Sequence, residues 1–258
     1  MPGRRLGGCY EAGVTRLLLA YDDSPSARRA AQFLDGYAAQ EALVTVERFT
    51  AGSGAVADAI LAKAAESGAD AVVMGTRGAG PLGGYALGSV ALRVGQSGAV
   101  PVLLVKEDSR LPAAPGRSLK ALLATDGSEP SVRAARLMAA WKPWLGALEV
   151  QIAHVQEPLT VLEAVLPPHD DVAKQWSTAP GEAASEEARA LFEREKIPFH
   201  LHLSAGDPAL EVAQLAAQTG SELLVLGTRG RGVARHALFG SVAMKAAAAS
   251  AVPVLLVP

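Results

Sequence analysis

Apolar positions along the chain fall into short unbroken runs that alternate with stretches of helical period. In the second half, Lys120 to Ala124 predicts a buried strand, Glu129 to Trp141 an amphipathic helix, and Glu149 to Val155 a partly alternating strand. After an intervening segment come a helix over Glu182 to Glu195, a strand near Phe199 to Leu203, a helix over Ala209 to Gln218 and a buried strand over Leu223 to Leu226. A helix from Ser241 and a strand over Val252 to Val257 close the series. Alternating strands and helices, with strands that are nearly continuous in apolar residues, build a parallel sheet covered by helices on both faces. The predicted fold class is α/β, and a ligand would sit beyond the carboxyl ends of the strands.

The first half repeats this pattern in shortened form. Leu17 to Ser24 matches Ala121 to Ser128 at an offset of 104 residues, and both copies then run into Arg-Ala-Ala at Arg29 and Arg133. Further on, Met74-Gly-Thr-Arg-Gly78 matches Leu226-Gly-Thr-Arg-Gly230, Gly88-Ser-Val-Ala matches Gly240-Ser-Val-Ala, and Val100 to Val105 matches Val252 to Val257, all at an offset of 152. The second copy therefore carries 48 residues that the first lacks, between its first helix and its glycine motif. The first copy is expected to lack one strand and one helix. Its single alternating segment, Leu43 to Phe49, aligns passably with either the second or the third strand of the long copy, and in both cases should lie beside the first strand. Two domains are expected, 1–107 and 118–258, joined by the proline-containing stretch Asp108 to Arg117.

Composition narrows the partners. Half of the 258 residues are apolar and 19% charged, which suits a compact core rather than disorder. The longest apolar runs are strand-length, far short of the roughly 20 residues that span a bilayer, so no membrane partner is expected. Net charge is -2 with both signs interspersed, which gives no basic face for nucleic acid. The single cysteine, Cys9, cannot pair internally, and the leader Met1 to Gly13 lacks a signal-peptide h-region. A cytoplasmic protein with a small-molecule partner is the expectation.

The chemistry concentrates in one motif. After a buried strand the second copy has Gly227, two residues, Gly230, nine residues, then Gly240-Ser241 opening a helix; the first copy has Gly75, Gly78, Gly88 and Ser89. Glycines let backbone N–H groups approach phosphate oxygens, and a helix start adds free donors and the positive dipole end. A purely structural reading makes the glycines turn residues and Ser241 a cap. Duplication of all four positions at the same spacing, while the loop between them has diverged, favours a ligand loop. Asp126 and Asp22, at the ends of the first strands, can accept from an adenine amino group or ribose hydroxyls. Ser24 and Ser128 are read as helix caps, with Pro25 at the first helical position.

This spacing, together with the early strand-Asp-x-Ser, resembles the nucleotide-binding universal stress protein family in its tandem form, over nearly the whole chain. The resemblance implies an adenine nucleotide (ATP, ADP or AMP), with magnesium accompanying ATP if at all, and a role as a stress-response regulator or sensor. It implies that Leu226, Gly227, Gly230, Gly240, Ser241 and Val242 line phosphates and ribose, that Asp126 meets the adenosine portion, and that Val155 packs on the adenine. In the first copy the matching positions are Asp22, Met74, Gly75, Gly78, Gly88, Ser89 and Val90. It also implies an internal pseudo-dimer of the two domains, for which the matching Val-Pro-Val-Leu-Leu-Val ends are the candidate contact.

Other features are set aside. Gly78 to Gly83 spells a dinucleotide fingerprint without its acidic partner, and His200 and His202 share a strand face without a third ligand, so no metal site is expected. Trp141 and Trp144 should pack the first helix of the second copy against its core. Neither glycine loop contains a lysine and no catalytic set is visible. At most slow ATP hydrolysis is expected of an enzyme reading, and a nucleotide-free scaffold is the third alternative. The two sites should be unequal. In the short copy the wall at His154-Val155 would be replaced by Phe49-Thr50 or by nothing, leaving a base more exposed to water.

Overall fold

The computed structural model describes residues 14–36, 43–52, 54–76, 87–112, 118–157, 179–230 and 240–258. The first copy comprises β1 (Thr15–Ala20), α1 (Pro25–Asp35), β2 (Val44–Phe49), α2 (Val56–Ser67), β3 (Ala71–Gly75), α3 (Ser89–Gln96) and β4 (Val102–Val105). The second comprises β5 (Leu119–Ala124), α4 (Glu129–Leu145), β6 (Leu148–Gln156), α5 (Ala179–Arg194), β7 (Phe199–Ala205), α6 (Pro208–Gln218), β8 (Leu223–Gly227), α7 (Ser241–Ala249) and β9 (Val254–Val257).

The nine strands among the described residues join one sheet in the order β2-β1-β3-β4-β9-β8-β5-β6-β7. Every neighbouring pair is parallel except β4 with β9, where Val102 faces Leu256 and Leu104 faces Val254 in an antiparallel ladder. The sheet thus runs through both copies, and the two apolar end strands satisfy each other's backbone groups instead of presenting bare edges. Helices cover both faces. One layer holds side chains of α1, α4 and α5, with Phe33, Trp144 and Phe192 deeply buried; the other holds Ile60, Met74, Val212 and Leu226 under α2, α3, α6 and α7.

Local sequence explains most boundaries. Ser24 caps α1 by accepting from the Ala27 N–H at 3.2 Å, with Pro25 behind it. Asp207 caps α6 through the N–H groups of Ala209 and Leu210. Helix α4 runs past Trp141 to Leu145, through Pro143. The two tryptophans explain the extension, because both are buried with ring centroids 5.2 Å apart and only a helical turn keeps them on one face. β9 starts at Val254, two residues late, since Pro253 has no N–H to give the ladder and offers only its carbonyl, to Leu224.

The repeat extends to tertiary ties that its motifs alone do not announce. Arg29 donates to the Ser109 carbonyl, just after β4, and Arg133 donates to the Pro258 carbonyl, just after β9. Each arginine of the Arg-Ala-Ala pairs pins the first helix of its copy to the end of that copy's last strand. The stretch after β4 is correspondingly ordered: Ser109 is buried, and the Arg110 N–H donates to the Ala251 carbonyl.

The shortening appears at the outer edge. β2 lies beside β1, and among the described residues no strand lies beyond it, whereas β6 is flanked by β7 and packed by α5. As a result Thr45 through Arg48 are exposed, Val46 among them at 40%.

Candidate functional site

A cavity of about 380 Å³ opens at the carboxyl ends of β5, β6 and β8. That is near the lower end of the roughly 300–1,000 Å³ typical of small-ligand pockets. Asp126, Val155, Leu226, Gly227, Gly230, Gly240, Ser241 and Val242 all line it. Residues 100 positions apart in sequence converge because β5 and β8 are adjacent in the sheet, with Ala124 opposite Leu226.

One end of the cavity is rich in backbone donors. The Gly240 N–H donates to the Thr228 carbonyl at 2.7 Å, and the Thr228 N–H donates to the Val257 carbonyl at 2.7 Å. These bonds bring the start of α7 back to the tip of β8 across the long loop. Gly240, not Ser241, holds the N-cap position, and no side chain caps the helix. Ser241 is exposed at the first helical position, so its hydroxyl is not spent as a cap. Among the described residues, the N–H groups of Ser241, Val242 and Ala243 at the start of α7 have no backbone acceptor, as at any helix start without a side-chain cap. The Thr228 hydroxyl beside them is buried and lacks a partner among the described residues.

The glycines have distinct physical roles. A Cβ on Gly230 would lie 2.6 Å from Asp126 Oδ2, so this glycine lets the loop close against the aspartate. A Cβ on Gly227 would meet the Ser131 nitrogen at 2.7 Å and the Pro130 carbonyl carbon at 2.8 Å. Gly227 therefore serves chiefly to let the start of α4 pack onto the end of β8, a role that Gly75 repeats against Ser26 and Ala27 of α1.

Asp126 is positioned by its own turn: Oδ1 accepts from the Ser128 N–H at 3.0 Å, and the carboxylate lines the cavity. The expectation that Ser128 caps α4 needs correction. Ser128 stands at the N-cap, but its hydroxyl makes no capping bond and instead donates to the Arg229 carbonyl at 3.2 Å, tying the β5–α4 turn to the glycine loop.

The opposite end is apolar. Val155 shares it with Pro208 and Val212 of α6, while Ala124 and Ala153 line it from the strands. The sequence motifs did not single out these four; they contribute through smallness or shape, for which spacing gives no signal. Glu157, also on the lining, adds a second carboxylate. His154 points to the other face of the sheet, its Nδ1 at 2.9 Å from the Thr125 carbonyl and its ring against Gly181.

In the first copy, Asp22 repeats the turn by accepting from the Ser24 N–H at 3.1 Å. Thr76 and Gly88 repeat the loop base, with a 2.7 Å bond between them, and α3 begins at Ser89 and Val90 with no side-chain cap. Met74 is buried at the end of β3, next to Gly75. Gly78 lies outside the described residues. The predicted replacement of His154-Val155 by Phe49-Thr50 is off by one residue. Ala20 faces Phe49 as Ala124 faces Ala153, so Phe49 takes the place of Ala153 on the cavity side. The first copy therefore carries a phenyl side chain at the strand position where the second carries an alanine.

Among the described residues, no group of three or more histidines, cysteines or acids could hold a metal. His200 is exposed on the outer strand, and His202 Nε2 pairs with Gln151 Oε1 at 2.7 Å. Burial, reinforced by the neighbouring His200, lowers the His202 pKa. No described helix is long and apolar enough to cross a membrane.

A parallel sheet with helices on both faces, and a pocket beyond the carboxyl ends of its strands, defines the class of doubly wound α/β proteins. The sequence model of the universal stress protein family matches residues 34–106 and 119–258, and the chain belongs to that family, with two of its domains in tandem. Comparison with curated proteins gives no match. Among solved structures, the chain is similar to a functionally unknown protein from Pseudomonas aeruginosa PAO1, with 17% identity over 95% of this chain and 92% of that one and a TM-score of 0.61. It is similarly like a universal stress protein from Archaeoglobus fulgidus DSM 4304, with 18% identity over 95% and 96% of the two chains and a TM-score of 0.60. At such identities the likeness is one of fold.

Proposed function

We propose that the second domain, 118–258, binds ATP or a closely related adenine nucleotide, and that the chain acts as a cytoplasmic nucleotide-responsive regulator in stress physiology, its domains 1–107 and 118–258 working as an internal pseudo-dimer. The observation that carries this reading is the pairing, in one cavity, of the uncapped start of α7 with the apolar patch of Val155, Pro208 and Val212. The first suits phosphates, the second suits a flat base, and Asp126 between them suits ribose or amino donors. Magnesium would accompany ATP through the phosphates, since the described residues offer no acidic cluster of their own. Interspersed charge speaks against nucleic acid as the partner.

Binding rather than turnover is the function. Neither glycine loop supplies a lysine to offset charge developing on a transferred phosphoryl group. Steady-state phosphate release should be far below the median enzyme rate of roughly 10 per second. The deciding experiment is calorimetric titration of the full chain with ATP, ADP and AMP, with mass spectrometry of any nucleotide released from the purified protein. Saturable binding of at least one of the three is expected. Absence of both released nucleotide and measurable heat would overturn the proposal.

A further inference from the structure

We infer that Phe49 closes the first domain to adenine nucleotides by filling the space in which the second domain receives the base; this rests on the nucleotide-binding reading of the second site. The two sheets are hydrogen-bonded identically at this point. The Tyr21 N–H donates to the Phe49 carbonyl at 2.9 Å, and the Thr125 N–H donates to the Ala153 carbonyl at 2.8 Å. With Ala20 facing Phe49 and Ala124 facing Ala153, the strand pleat sends both side chains to the same face of the sheet.

In the second domain that face is the apolar end of the cavity, where the facing positions of β5 and β6 are Ala124 and Ala153. Its walls Pro208, Val212, Leu226 and Val242 correspond, at the offset of 152, to Val56, Ile60, Met74 and Val90. Phe49 is partly buried and packs against the core layer that contains Ile60 and Met74, the layer on which Val56 and Val90 also rest. The phenyl group thus stands on the face of the sheet that carries the counterparts of the pocket walls, at the strand position where the second domain has only the methyl of Ala153. The phosphate end is not the point of difference, since the Thr76–Gly88 bond, the uncapped α3 and the Asp22 turn all copy the second domain.

The test is ATP titration of the full chain by calorimetry, comparing wild type with Phe49→Ala and with the reciprocal Ala153→Phe. Expected are one site per chain in wild type, two in Phe49→Ala, and at least about a hundredfold weaker binding in Ala153→Phe, equivalent to two decades of Kd. Amide exchange across β1 and β3 checks that the first domain is folded. Should Phe49→Ala unfold it, Phe49→Val removes the ring while keeping a strand-favouring residue. A folded Phe49 variant that still shows one site, two sites in wild type, or Ala153→Phe binding as wild type would each overturn the inference and leave the reading of the second domain standing. Wild type with no site for any nucleotide would overturn both.

Discussion

The two domains agree at the glycine-loop end of the site and part company at its apolar end. Thr76 and Thr228 close their loops with the same 2.7 Å bond, Gly75 and Gly227 are both crowded by the start of the preceding domain helix, and Asp22 and Asp126 fold the same turn. Ala153 against Phe49, and the presence or absence of β7 and α5, separate them. What is shared is backbone geometry, which a small set of glycines, aspartates and hydroxyls enforces; what differs is side-chain volume. A duplicated fold can therefore keep its loop geometry in both copies while the side chains beside the loop diverge.

The largest effect that would sharpen this contrast is expected from Gly230→Val. Its Cβ would fall 2.6 Å from Asp126 Oδ2, pushing the loop off the aspartate. ATP affinity should drop on the order of 100-fold, about 2.7 kcal/mol. The same change at Gly78 should alter total binding little, and a larger loss from Gly78→Val would break the assignment of the second domain as the main site.

Next come the packing glycines, where the domains should behave alike. Gly227→Ala and Gly75→Ala each force a Cβ against helix backbone, and each should destabilise its own domain by about 2 kcal/mol, a typical overpacking cost. Thermal or urea unfolding would measure it. A neutral Gly75→Ala would mean that the first domain does not share this constraint.

A smaller effect is expected at the aspartates. Asparagine retains the oxygen that accepts from the Ser128 or Ser24 N–H, so Asp126→Asn and Asp22→Asn spare the turn and remove only the charge. ATP binding should weaken about tenfold for Asp126→Asn, close to the 1.4 kcal/mol of one charge-assisted hydrogen bond. It should stay unchanged for Asp22→Asn. Equal losses would place ligand in both domains.

The smallest effect is one of pH. All five histidines lie in the second domain. Burial holds the folded pKa of His202 below its ordinary 6.5, so the unfolded chain takes up a proton first as pH falls. The contribution of neutral His202 to stability is present above pH 6.5, declines as pH drops below that value, and levels off beneath the folded pKa. Amide protection at β6 and β7, corrected for the intrinsic exchange rate at each pH, should fall modestly on acidification from pH 7 to 5 while that of β1 to β3 does not follow. His202→Gln should flatten that response, and an identical response in both domains would assign it to something other than this histidine.

Much of the site was legible because its requirements are local. The spacing from Gly227 to Ser241 announces a strand, a loop and a helix start, and its repetition at Gly75 to Ser89 shows that the spacing is not accidental. The eight residues expected in the second site do line one cavity. The pocket's apolar side was harder to read. Pro208 and Val212 look like any helix residues, and Ala153 like any buried strand residue, until the sheet brings α6 and β6 to the same opening. Ser128 illustrates a subtler limit: its type and place fit a cap, but its hydroxyl donates to the nearby Arg229 carbonyl, 101 positions on.

The sequence by itself determined the α/β alternation, the duplication, the shortening of the first copy and the position of each glycine loop, because periodicity, turn chemistry and a constant offset are properties of neighbouring residues along the chain. Only the tertiary structure decided which partner Phe49 faces. The segment Leu43 to Phe49 aligned with two strands and carried no marker of phase. A shift of one residue in a parallel ladder moves every side chain to the opposite face of the sheet, and that phase is fixed by the hydrogen bonds from β1, among them the Tyr21 N–H to the Phe49 carbonyl. Whether the first domain has a pocket or a plug is therefore a matter of register, a relation between strands that becomes visible only when they are laid side by side.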